Sequence, residues 1–139
     1  MEHLAILSKK RKLLSKIISG EKKIESRWYK SKRPPFGRIS EGDTIYFKES
    51  GEPVSAKANA KRILTYENLN SGIIYKIIKE YGNLIGINLD FINEVKDKKF
   101  CILIFMDNAQ KIKPFEINKK GYGLMSAWIS IDNIDKLRK

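Results

Sequence analysis

The densest set of chemically capable side chains runs Gly20-Glu-Lys22-Lys-Ile-Glu25-Ser-Arg27, followed by Trp28-Tyr29-Lys30-Ser-Lys32-Arg33. In an extended strand Glu25 and Arg27 point to one face, because side chains alternate with a period of two, and they are close enough to pair. Lys22 sits just past a helix end and need not follow that alternation. An ammonium, a carboxylate and a guanidinium at one helix–strand junction can bind a phosphate. With Lys22 and Glu25 as acid and base, they can also support proton transfer. The same spacing equally describes an exposed ion pair beside a lysine, which contributes little. Lys22 has no acid on its own strand face, so it is the expected anion ligand, with Glu25 holding the Arg27 fork in one geometry.

Aromatic and cationic residues interleave around this segment. Trp28, Tyr29, Phe36 and Tyr46 lie among Lys30, Lys32, Arg33, Arg38 and Lys48. Such a mixture can stack bases while the charges follow a phosphate backbone. Trp28 or Phe36 can equally close a hydrophobic core. Pro34-Pro35 stiffens the stretch and the apolar pattern lapses there, so Lys30, Lys32, Arg33 and Arg38 are expected to form an electrostatic arm. Later, Tyr122 and Trp128 flank a glycine-containing turn that can approach the same cleft. Trp128 also alternates with Ser126 and Ser130, which suits a core position. Ser26, Ser126 and Tyr122 are hydroxyls with no base assigned to them. One histidine, His3, and one cysteine, Cys101, are too few for a zinc cage or a Cys/His nucleophile pair. No metal or cofactor is expected, with Cys101 inert packing and His3 on the surface near the terminus.

The charge balance names a class of partner. The 139 residues carry 28 Lys+Arg against 16 Asp+Glu, a net charge of +12. Residues 1–40 hold 12 of those cations and 3 acids, a net of +9. An excess of this size calls for a polyanion, and charge alone does not separate RNA, DNA and an acidic membrane. A hydrophobic share of 42% with 32% charged residues fits a globular chain, read as one domain over 1–139 and a monomer. The apolar run Phe100–Met106 is far short of the roughly 20 residues of a membrane helix. The first residues lack the positive region of a signal peptide, and the single cysteine suits a reducing compartment. These features place the protein in the cytoplasm, away from membranes.

The elements that must position the motif are readable. His3–Leu7 reads as a strand. Ser8 can cap a helix from Lys9 to Ser19, ended by Gly20, with Leu13, Leu14, Ile17 and Ile18 on one side. Four cations, Lys9 to Lys12, crowd its first turn, where the helix dipole disfavours them, so an external anion is their expected partner. Residues Lys23–Tyr29 and Thr44–Lys48 alternate as strands. Val54, Ala56, Ala58 and Ala60 alternate with polar residues, and small side chains at every second position suit the interior of a small barrel. A helix from Asn70 or Ser71 to near Gly82 follows, then a short one over Asp90–Val95. Phe100–Met106 is apolar throughout and should be a central strand covered on both faces. Lys111–Ile117 and Leu124–Ile131 supply further strands, and Asp132 opens a short terminal helix. The expected fold class is α+β: a small mixed β-barrel of about six strands flanked by helices.

Gly20-x-Lys22-x-x-Glu25-x-Arg27 resembles the GxKxxExR signature of ASCH domains, which have a PUA-like barrel. The opening strand and helix, Pro34-Pro35-x-Gly37, Gly42-Asp43, Gly121-Tyr-Gly123 and Ala127-Trp128 fall in a compatible order, most closely over residues 3–64. The resemblance implies a motif-lined cleft that binds nucleic acid, most plausibly RNA, through Lys22, Glu25 and Arg27. Some ASCH-like proteins are hydrolases, cleaving RNA or N4-acetylcytidine. The amidohydrolases carry Thr where this chain has Glu25, so that nucleophile is missing here. The reading is therefore an RNA-binding module, with a metal-independent hydrolase using Lys22 and Glu25 as the alternative.

Overall fold

Alternating side chains build the sheet, and breaks in the alternation curl it. The computed structural model describes residues 1–119, 121–123 and 126–139. Its strands are β1 (Glu2–Leu7), β2 (Ile24–Tyr29), β3 (Thr44–Glu49), β4 (Val54–Tyr66), β5 (Phe100–Phe115) and β6 (Trp128–Ile131). They form one sheet in the order β2-β5-β4-β3-β1-β6, with β1 and β3 parallel and the other pairs antiparallel. Ala56, Ala58 and Ala60 of β4 face the concave side with Ile45 and Phe47 of β3. The β4–β5 register then slips between Ala60 and Arg62, so one extra residue moves the inward phase from even to odd positions and Ile63 takes over. A bulge of this kind bends its strand, and here it helps turn the sheet into a half-barrel.

Among the described residues three helices cover the sheet: α1 (Leu13–Ser19), α2 (Ser71–Ile85) and the single turn α3 (Ile92–Val95). Leu14 and Ile17 of α1 plug the concave core with Ala5, Leu7, Ile102, Ile104 and Trp128. On the convex side Ile74, Ile77, Ile78 and Ile85 of α2 pack on Ile24, Cys101 and Leu103. Phe100–Met106 is thus covered on both faces, as its unbroken apolar run requires. Cys101 is buried, and that burial pushes its thiol far above the usual range, so it is inert packing.

Several boundaries differ from expectation. The first helix is not continuous from Lys9: a 3-10 turn over Lys9–Arg11 is followed by Lys12 at φ 52°, and only then by α1. Two of the four crowded cations find acids of this chain, Lys9 pairing with Glu52 and Arg11 with Glu94, where an external anion was expected. Lys111–Ile117 is not a separate strand, because β5 runs unbroken to Phe115. The last strand begins at Trp128; Leu124, where it was expected to start, lies outside the described residues. The terminal helix is a 3-10 turn over Ile134–Leu137.

The end of α2 bears directly on the motif. It passes through Gly82, whose missing side chain admits the Ile87 carbonyl: a Cβ there would lie 3.0 Å from that oxygen. The helix stops at Gly86, at φ 90°, where the cap N–H donates to the Gly82 carbonyl. Only glycine adopts that conformation at little cost. Gly86→Ala is expected to lower stability by about 1 kcal/mol in urea denaturation. An unchanged midpoint would show that the cap is not strained by a side chain.

Candidate nucleic-acid interface

The motif begins where α1 ends. Gly20, at φ 85°, closes the helix, and the Lys22 N–H returns to the Lys16 carbonyl at 3.0 Å. This turn directs the Lys22 side chain inward. Its Nζ donates to the carbonyls of Ile24 and Ile85, both at 2.6 Å, and lies 3.3 Å from Glu25 Oε1. Three donors meet three acceptors, and Lys22 is only 3% exposed. The expectation of a lysine open to a phosphate is therefore corrected: its ammonium is enclosed and fully partnered. Sequence spacing missed this because the Ile85 carbonyl comes from a helix end 63 residues away.

Glu25 is equally enclosed, at 3% exposure. Its Oε1 also accepts the Ser26 N–H at 3.2 Å, and its Oε2 accepts from Arg27 Nη2 at 3.2 Å. Burial alone would raise its pKa, but Lys22 and Arg27 outweigh that and hold the carboxyl below the usual range. Arg27 reaches further: Nη1 donates to the Ala127 carbonyl at 3.3 Å, and the guanidinium lies over the Trp128 ring, 5.2 Å from its centroid. β2 and β6 are the two ends of the strand order, so this side chain spans the open seam of the half-barrel. Glu25 does orient Arg27, as expected.

Beyond Trp128 lies a buried polar group that spacing did not reveal. His3 is 0% exposed. This overturns its expected surface position. Trp128 Nε1 donates to His3 Nδ1 at 3.2 Å, Ser130 Oγ is 2.8 Å from the same nitrogen, and Nε2 lies 2.9 Å from Asp43 Oδ2. With Nδ1 accepting from the indole, Nε2 carries the proton given to Asp43. The clue was available: His3 shares its phase with Ala5 and Leu7, which face the core. Although serine, histidine and aspartate stand in line, the imidazole is sealed and shares its acceptor with Trp128, so the group ties β1, β6 and the start of β3 together.

The remaining site residues divide. Trp28 is on the opposite face of β2, edge-on to Phe91 with ring centroids 6.0 Å apart, and its Nε1 donates to Ser26 Oγ. It is packing on the convex core and does not join Glu25 and Arg27. The segment between β2 and β3 is anchored by Ile39 and Phe36 against the concave core. On it Lys30 pairs with Asp97 at 3.0 Å and Lys32 with Glu67 at 2.8 Å, both on exposed side chains. Arg33 lies over Tyr29 at 4.9 Å, and Lys32 over Phe36 and Phe100. Arg38 is exposed with no ion-pair partner among the described residues, and its charge is felt at His3. Lys48 is half-buried on β3, and Tyr122 is 43% exposed in the 121–123 turn.

A cleft of about 630 Å³ lies on the helical flank, lined by Arg11, Lys16, Lys22, Asn83, Phe91 and Glu94 among others. It touches the motif from outside, while Glu25 and Arg27 belong to the concave side. No group of three or more metal-ligating side chains occurs among the described residues, and no helix there is long and apolar enough to cross a membrane.

A curled six-stranded mixed sheet with a plugging helix defines a small PUA-like α+β barrel. Within that class the chain has the fold of ASCH proteins. It superposes on ASCH from Zymomonas mobilis with a TM-score of 0.71 at 14% identity, covering 99% of this chain and 96% of that one. A tyrosine-to-phenylalanine variant of the same Zymomonas mobilis protein also gives 0.71 at 14% identity, over 99% of both chains. No family sequence model matches the chain, and no curated protein matches it. At this identity the likeness is one of fold.

Two measurements check the geometry. Lys22→Ala leaves Glu25 buried beside a hole, and breaking one partner of a buried pair costs about 3–5 kcal/mol. Urea denaturation should show a loss of that order; a loss typical of an exposed lysine would place Lys22 at the surface. For His3, burial lowers the pKa from the ordinary 6.5, against the pull of Asp43. The unfolded chain therefore takes up a proton below pH 6.5 that the folded chain excludes, and stability falls with acidification in that window. His3 is the only histidine, so its ring proton resonances need no assignment. They should titrate with a midpoint below 6.5, and a midpoint at or above it would contradict the sealed imidazole.

Proposed function

We propose that this protein is an RNA-binding module whose primary contact is the cationic segment between β2 and β3, not the interior of the motif. The supporting observation is the arrangement of Lys30, Lys32, Arg33 and Arg38. All four are exposed on a segment whose backbone is anchored by Phe36 and Ile39, with Arg33 and Lys32 laid across aromatic rings. The Lys30–Asp97 and Lys32–Glu67 pairs are exposed, and such pairs contribute about 0–1 kcal/mol, so a phosphate can replace either acid at small cost. Cations held over aromatic faces beside an extended strand can follow a phosphate backbone, and the Arg33 guanidinium plane over Tyr29 can itself stack on a base. The resemblance to the GxKxxExR motif and the ASCH fold are compatible with this role. In this reading Lys22, Glu25 and Arg27 support the interface from behind by fixing β2.

The hydrolase alternative needs Lys22 and Glu25 to exchange protons with a substrate. Two carbonyls and a carboxylate already engage Lys22, which argues against it. Filter binding of a short single-stranded RNA across a salt series tests the proposal. Log affinity should fall linearly with log salt, and changing Lys30, Lys32, Arg33 and Arg38 to Ala should flatten the slope by about 3, since each phosphate contact on a single strand contributes about 0.7. Thermal stability should barely move. No affinity at low salt, or a variant that binds like wild type, would refute the proposal, and RNA recovered shortened would favour the hydrolase.

A further inference from the structure

The convex face of the sheet carries a second cationic hollow, away from the motif and from the segment between β2 and β3. It encloses about 430 Å³ and is lined by Tyr46, Lys57, Ile112, Lys113, Pro114 and Arg138. Three of these six residues are cations and none is an acid. Tyr46 of β3 and Lys57 of β4 are cross-strand partners, which sets the hydroxyl and the ammonium on one face. Lys113 comes from the distal half of β5, which continues past the concave core. Arg138 is carried there by the last residues, bridged at Ile117 and running antiparallel to that segment.

Arg138 is the most fixed of the three. Its guanidinium carbon sits 3.7 Å from the Phe115 ring centroid, and its Nε donates to Asp135 at 2.7 Å. Phe115 in turn meets Tyr46 edge-on, with centroids 6.2 Å apart. A guanidinium stacked on a ring and tied at Nε keeps its terminal N–H groups in one plane and loses little freedom when it takes an oxyanion. Neither Lys57 nor Lys113 has an ion-pair partner among the described residues, and the Tyr46 hydroxyl has no hydrogen bond among them. Folding therefore gathers three cations at one concavity, with Asp135 compensating Arg138 and no acid paired to Lys57 or Lys113 among the described residues. The volume falls in the range of small-ligand sites, enough for a phosphoryl group with an attached sugar.

We propose that this hollow is a phosphoryl-binding site, in which Arg138, Lys57 and Lys113 hold the oxyanion and the Tyr46 hydroxyl donates to it. The phosphoryl group has two possible sources, a free mononucleotide or a nucleic-acid backbone. The site stands on its own observations: a phosphate taken here needs no RNA on the segment between β2 and β3.

Amide shifts of the full chain, followed during titration with inorganic phosphate at low salt, test the proposal. The expected result is a saturable shift confined to residues around Lys57, Ile112, Lys113 and Arg138. Lys57→Ala combined with Lys113→Ala should weaken phosphate binding by about ten-fold or more at an unchanged melting temperature, since each lost charge-assisted hydrogen bond has an effect of that order. Tyr46→Phe should weaken it less and leave the fold intact. Adenosine monophosphate and a short oligonucleotide form the other two arms: tighter binding of the first assigns a free nucleotide, of the second a backbone. Shifts that are absent, that spread over the basic surface without saturating, or that persist in the double variant would overturn the site. Loss of RNA binding through the segment between β2 and β3 would leave this titration unchanged, so the two readings fail separately.

Discussion

Arg27 holds the two free edges of the sheet together, and much of the fold's geometry follows from that reach. Six strands of this length curl but leave β2 and β6 as ends, and Arg27 bridges them through the Ala127 carbonyl and the Trp128 face. A planar guanidinium can meet a carboxylate, a carbonyl and an indole at once, which a point-like ammonium cannot. Glu25 fixes its orientation, and Lys22 compensates the second oxygen of Glu25. Burying three charges is costly, and apolar residues of similar size often stabilise as well. What the cluster adds is direction: its donors are met by acceptors from β2, the end of α2 and the residue before β6. No buried side-chain nitrogen or oxygen among the described residues lacks a partner.

Seen from this seam, the positive charge of residues 1–40 is not a single patch. Lys9 and Arg11 are engaged by Glu52 and Glu94, far along the chain, and Lys22 and Arg27 share Glu25. Of these, Lys22 and Arg27 are enclosed and serve the fold, while the pairs of Lys9 and Arg11 are exposed. The four on the segment between β2 and β3 are exposed, as are Lys10, Lys12 and Lys23. Charge counted along a sequence therefore overstates the unpaired positive charge of residues 1–40, because distant acids neutralise part of it. The same folding brings Lys57, Lys113 and Arg138 together from three distant segments, where counting by window finds nothing unusual.

Much of the architecture was legible in period and punctuation. Val54 to Ala60 alternated, Phe100–Met106 was apolar throughout, and Gly20 closed a helix, and each signal depends on neighbours within a few residues. The break at Lys12 and the merging of Lys111–Ile117 into β5 depend on tertiary partners and were not legible. The site divides along the same line. Glu25 pairing with Arg27 is a local consequence of strand period and was foreseen. The enclosure of Lys22 by the Ile85 carbonyl depends on a helix end far along the chain, and although the inward phase of His3 was readable, its partners Trp128, Ser130 and Asp43 were not. Trp28 illustrates the limit most directly, since alternation placed it opposite Glu25 and Arg27 yet its neighbourhood in sequence suggested a shared surface.

The central claim is that Arg27 and Trp128 are energetically coupled across the seam. A double-mutant cycle with Arg27→Met and Trp128→Leu, read by urea denaturation, measures this directly because each single change removes one side of the contact. A partly desolvated cation–aromatic contact predicts a coupling of about 1–2 kcal/mol in favour of the native pair. Strictly additive effects would mean that the two edges meet without depending on this contact, and would contradict the account.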